Sequence, residues 1–187
     1  MKTLLLDGNS LTVADVHRLS RPGMKIGISP AAKIRMHASR KLVEKWVERG
    51  DTIYGVTTGF GELATVRIGR DNIEQLQLNL IRSHSAGAGE PLSADVVRAM
   101  MVLRLNAVAK GFSGLRVATA DFLVKMYNKG MIPVIPSRGS VGSSGDLAPL
   151  SHLVLAMIGE GRVTYRGREM AAARAMKLAS LKPVRLT

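Results

Sequence analysis

Short apolar runs alternate along the chain with apolar stripes of helical period, a pattern that predicts a mainly α fold with a few short edge strands. Leu4-Leu5-Leu6 before Asp7-Gly8 reads as a strand and turn, and Thr12 with Asp15 supplies the cap and acidic first turn of a short helix. Ser29-Pro30 gives the N-cap and first position of a longer helix ending at Gly50, with Ile34, Ala38, Leu42 and Trp46 as its expected core face. Asp71-Asn72-Ile73-Glu74 has the form of a capping box headed by Asp, and the Leu76, Leu80 stripe carries that helix to Ala86-Gly87. This places Arg82, Ser83 and His84 at its C-terminal end. Ser93 to Lys110 predicts a helix with Val97, Met101 and Leu105 inward and Gly111 as terminator; Leu115 to Asn128, closed by Gly130, follows antiparallel to it. Pro133 and Pro136 impose an extended approach to a Gly-rich loop at 139–145, after which Leu147 to Ile158 reads as a buried helix closed by Gly159-Glu160-Gly161. Val163-Thr164-Tyr165 with the turn Arg166-Gly167 predicts a hairpin, and Met170 to Leu178 a last helix. With no internal repeat, low-complexity tract or linker, residues 1–187 are expected to form one domain.

Composition narrows the function classes. At 46% hydrophobic residues the chain can fill a core, yet no run reaches the ~20 apolar residues of a membrane span. Met1 to Asp7 lacks the build of a signal peptide, so a cytoplasmic protein with no membrane partner is expected. The absence of cysteine excludes disulfides, a thiolate nucleophile and Cys-based metal sites. A net charge of +13 raises nucleic acid as a partner, since Lys and Arg gain affinity by releasing phosphate counterions. The basic residues are instead spread from Lys2 to Arg185 and are not interleaved with aromatics, so no nucleic-acid partner is expected. His17, His37 and His152 show no metal-ligand spacing and receive no role.

The candidate chemistry lies in Gly139-Ser140-Val141-Gly142-Ser143-Ser144-Gly145-Asp146. A phosphate cradle lacks the Lys and Ser/Thr of a P-loop, and a serine nucleophile lacks the G-x-S-x-G elbow. A plain turn with Ser144 or Asp146 as helix cap is what the loop alone favours. The remaining reading uses the backbone. Attack of the Gly145 nitrogen on the Ser143 carbonyl carbon, with loss of water, closes an imidazolone, and loss of the Ser144 hydroxyl as a second water leaves an exocyclic methylidene. Gly suits the attacking position because a Cβ obstructs the compressed turn, and Ser suits the middle because its hydroxyl departs. The following helix start adds a positive dipole end beside the group.

Residues 139–152, GSVGSSGDLAPLSH, resemble the signature of the aromatic amino acid ammonia-lyases and related 2,3-aminomutases. The resemblance runs along the chain in order. Leu6 to Thr12 looks like the family's start, Ile53 to Gly61 like its tyrosine loop, Ser83-His84-Ser85-Ala86-Gly87 like its selectivity segment, and Arg104-Leu105-Asn106 with Ala109-Lys110-Gly111 like a family helix end.

The resemblance implies a methylidene-imidazolone made autocatalytically from Ser143-Ser144-Gly145, with Asp146 assisting and no external cofactor or metal. It implies Tyr54 as the base for the substrate's β-proton, which requires surroundings that lower a phenol pKa near ~10. Ser83 and His84 become substrate-binding residues, and Gly59-Phe60-Gly61 a loop over the site with Gly61 beside substrate. The Ser-His pair favours L-histidine and the product urocanate; a tyrosine or phenylalanine lyase or aminomutase is the alternative, and an inactive fragment or interaction module the other. Ser143 stands where the family has Ala, so the ring carries a hydroxymethyl group. The family enzymes are homotetramers of longer chains, and their remaining catalytic groups are expected beyond Thr187.

Overall fold

The computed structural model describes residues 3–59, 69–140 and 147–186. Its centre is α4 (Ala94–Ala109), which buries Val97, Met101 and Leu105 as the stripe predicts and adds Val102, Val108 and Ala109 on neighbouring faces. A helix buried on several sides needs partners around it. They are α1 (Val13–Ser20), α2 (Pro30–Arg49), α5 (Val117–Asn128) and the edge strands. Each fully buried large side chain in this core contributes roughly 1.5–3 kcal/mol of transfer free energy.

α1 begins with a capping box in which Thr12 accepts from the Asp15 N–H while the Asp15 carboxylate accepts from the Thr12 N–H. α2 begins at Ser29-Pro30 and ends at Gly50 in the left-handed conformation, as its sequence predicts. Its inward face differs from the expected one. Ala32 and Met36 are buried, and Ser39 and Val43 lie against Gly114, whereas Ile34 is 70% and Leu42 46% exposed, Ala38 is exposed and Trp46 only half-buried. Both stripes have helical spacing, and the partners on α4 and the 110–114 loop decide between them.

β1 (Thr3–Leu6) pairs in parallel with β2 (Lys25–Ile28), from Thr3 opposite Lys25 to Leu6 opposite Ile28. β2 goes beyond the sequence expectation, because its partner lies across a whole helix. Asn128, the last residue of α5, finishes the pair: its amide accepts from the Ile26 N–H and donates to the Ile26 carbonyl, each at 2.9 Å. Asn106 of α4 accepts from the Gly8 N–H at 3.1 Å. Gly8, at φ +91°, lies so close to Lys110 that a Cβ would stand 2.8 Å from its backbone nitrogen. Arg35 spans the same corner, donating to the carbonyls of Asp7, Ala109 and Lys110. The N-terminal Leu6 to Thr12 segment is thus held to the end of α4 by backbone and amide contacts.

α3 (Arg70–His84) starts from Gly69 without a side-chain cap, which corrects the capping box expected at Asp71. β3 (Ala88–Pro91) pairs antiparallel with β5 (Pro136–Arg138), and β4 (Ile132–Pro133), β6 (Arg162–Tyr165) and β7 (Arg168–Ala171) form a second antiparallel sheet. The β6–β7 turn has Arg166 and Gly167 both at positive φ, the conformation that suits a two-residue hairpin. α6 (Leu147–Met157) packs on α3, and α7 (Ala172–Leu178) covers the second sheet, with Met170 in β7 rather than in the helix.

Candidate active site

The end of α3 is capped by its own side chains. The Ser83 hydroxyl donates to the Leu80 carbonyl at 3.0 Å, and the Ser85 hydroxyl and N–H both donate to the Ile81 carbonyl. His84 Nδ1 lies 2.9 Å from the Leu80 carbonyl. A carbonyl only accepts, so Nδ1 carries the proton, and in the neutral ring Nε2 is left as an acceptor. The Ser-His-Ser run therefore adds bonds to the Leu80 and Ile81 carbonyls in the last turn and holds a half-buried imidazole through Nδ1, with its other nitrogen unused by this cap.

Tyr54 lies in the turn between α2 and α3, 63% exposed. The turn is tied by its threonines. Thr57 accepts from the Ile53 N–H and donates to the Asp51 carbonyl, while Thr58 accepts from the Gly55 N–H and donates to the Gly59 carbonyl. Both threonines are buried, so the segment carrying Tyr54 is held from below. The sequence alone does not single them out, since Thr-Thr after Tyr-Gly-Val offers only a turn-forming hydroxyl pattern.

Gly61, Ser143, Ser144, Gly145 and Asp146 lie outside the described residues. Both flanks of the Gly-rich loop are described, and they converge. Gly139 adopts φ +149°, and a Cβ there would stand 2.8 Å from the Ala148 side chain and 3.2 Å from the Gly87 Cα. The two flanks thus meet where the residue after β5 lies against the first turn of α6.

The same region joins α3 to α6. Arg82 makes a two-pronged ion pair with Glu160, at 2.6 and 3.1 Å, which holds the Glu160 carboxyl below its ordinary pKa. Beyond it the Gly87 N–H donates to His152 Nε2 at 3.1 Å. Sequence reasoning gives His152 no role, because its partner is a backbone amide with no side-chain signature. Burial lowers the His152 pKa, favouring the neutral ring that can accept this bond. Among the described residues no cluster of His, Asp and Glu could hold a metal, and no helix is long and apolar enough to cross a membrane.

The helical body with its short edge sheets is shared with a known enzyme family. The sequence model of aromatic amino acid lyases matches residues 11–187. A histidine ammonia-lyase of Alkaliphilus oremlandii is 49% identical over all 187 residues, which are 37% of that protein. Among solved structures, histidine ammonia-lyase from Trypanosoma cruzi matches with a TM-score of 0.92 at 40% identity, over the whole of this chain and 36% of the other. Tyrosine aminomutase from Streptomyces globisporus matches with a TM-score of 0.91 at 37% identity, over 99% of this chain and 35% of the other. The chain belongs to the aromatic amino acid lyase family, and it spans little more than a third of the length of these relatives.

Proposed function

We propose that the chain is the ring-forming part of a histidine ammonia-lyase, which eliminates ammonia from L-histidine to give urocanate. The observation that carries the choice of substrate is the capped end of α3. His84 is held through Nδ1, so Nε2 offers a fixed acceptor, and the imidazole N–H of histidine is a matching donor. A phenyl ring offers no such donor. A tyrosine hydroxyl does, and tyrosine lyase or aminomutase is the second reading for that reason.

The reaction breaks the Cα–N and Cβ–H bonds of the substrate and forms a Cα=Cβ double bond. The methylidene-imidazolone from Ser143-Ser144-Gly145, assisted by Asp146, supplies the electrophilic carbon that activates the departing amine. Tyr54 takes the β-proton from a turn whose buried threonines keep it in place. Ser83 and His84 bind the aromatic end of the substrate, with Gly61 beside it. No metal or external cofactor is needed, and the protein works in the cytoplasm as a homotetramer.

Intact mass tests the ring: a mature chain is lighter by two waters, and Ser144→Ala, which has no departing hydroxyl, cannot lose the second. A wild-type mass equal to that of the plain polypeptide would sink the ring and leave the inactive-module reading. Parallel incubations of the full-length enzyme with L-histidine, L-tyrosine and L-phenylalanine test the substrate. Urocanate is the expected product, and coumarate without urocanate would transfer the assignment to tyrosine.

A further inference from the structure

Four elements meet at Gly87. Its N–H donates to His152 Nε2 at 3.1 Å, and a Cβ at this position would stand 3.0 Å from that nitrogen and 3.2 Å from both the Arg138 carbonyl and the Pro136 side chain. Its Cα faces Gly139 across the base of the Gly-rich loop. Ala148 and His152 are one turn apart on α6, so a single face of that helix meets Gly139 through the first and Gly87 through the second. At Gly87 the chain leaving His84 therefore passes α6 in a slot too narrow for a side chain. The β3–β5 ladder closes one side of the slot, and His152 supplies its polar tie.

We propose that His152 is a positioning residue for the substrate-binding segment: by accepting from Gly87 it fixes the Ser83–His84 end of α3 at a set distance from the base of the ring-forming loop. This rests on the reading that Ser83 and His84 bind substrate. Histidine suits the task because its ring presents one rigid lone pair while filling the slot, and in the neutral tautomer this bond requires, Nδ1 holds the proton. The Arg82–Glu160 pair ties α3 to the turn after α6 at the surface, where solvent weakens it, whereas the Gly87 bond lies beside the packed face of α6.

Amide exchange at Gly87 reads the bond directly in the chain without substrate. His152→Phe keeps an aromatic ring and removes the acceptor, and should speed Gly87 exchange at least about fivefold, the effect of losing one ordinary hydrogen bond. His152→Gln restores an acceptor and should bring exchange back to within about twofold of wild type. Gly87 exchange unchanged in His152→Phe, or equal in the two variants, overturns the proposal. In the histidine assay His152→Phe should raise KM by about tenfold with the dehydrated mass intact, and His152→Gln should recover most of it. Exchange that responds while KM stays fixed also overturns the positioning role and leaves the lyase reading standing. Absence of turnover by the full-length wild-type enzyme with any of the three amino acids defeats the lyase reading, and with it the role at a substrate site, whereas the exchange arm still decides the Gly87 bond.

Discussion

Replacing Gly139 by alanine tests the meeting of the two flanks at the base of the Gly-rich loop. At φ +149° an L-residue is strained by about 1–3 kcal/mol. The new Cβ also lands 2.8 Å from the Ala148 side chain and 3.2 Å from the Gly87 Cα, and neither neighbour is the free end of a flexible side chain. Overpacking of this kind adds about 1–3 kcal/mol. Gly139→Ala should therefore cost about 2–6 kcal/mol. Gly130→Ala supplies the comparison, because Gly130 has φ +68° and nothing lies within 4 Å of where its Cβ would stand. It should cost only the left-handed backbone term of about 1–2 kcal/mol. Urea unfolding of both variants gives the two values, read as shifts in midpoint at constant slope. If Gly139→Ala is no more costly than Gly130→Ala, the loop flanks are not held together as described.

Leu105→Ala empties a fully buried site at the centre of α4 and should cost about 2–5 kcal/mol in the same assay. Tyr127→Phe removes a buried hydroxyl that donates to the Leu19 carbonyl, and should cost about 1–3 kcal/mol by leaving that carbonyl unpaired between α1 and α5. Arg82→Ala breaks an exposed pair and should shift the unfolding midpoint only slightly, a loss that high salt should mimic. Acid titration should show a carboxylate signature. Asp7 is held at about 2 by the N–H groups of Ser10 and Asn9, and Asp15 at about 2 by the Thr12 hydroxyl and N–H, against an ordinary 3.8. Both pKa values are depressed on folding, so their contribution is full above 3.8 and is lost as pH falls through about 2. Asp7→Asn should flatten the stability profile between those limits; an unchanged slope there would contradict the Asp7 turn.

Local signals mark most of the helices. Ser29-Pro30 and Gly50 bound α2 in the sequence as in the structure, and the Val97, Met101, Leu105 stripe faces inward as read. The face of α2 is illegible in the sequence because two apolar stripes share the helical period, and only the partner at Gly114 selects Ser39 and Val43. β2 escapes local reading because its pairing with β1 spans α1, and its other edge is finished by an asparagine side chain. At the candidate site, Ser83 and His84 fall at a helix end as their pattern suggests. His152 and Gly87 do not announce themselves, since a bond from a backbone amide to a ring nitrogen 65 residues away leaves no spacing to read.

The two asparagines that finish β1 and β2 also impose an order on folding. Gly8 waits for Asn106, 98 residues later, and Ile26 for Asn128, 102 residues later. Closing loops of that length slows the chain more than it weakens the product. During synthesis β1 and β2 leave the ribosome well before the groups that complete them, so their edges stay open until α4 and α5 have emerged. A segment made early is thus one that can settle only late, and this interval is when a nascent chain of this family has most need of protection from pairing with a neighbour.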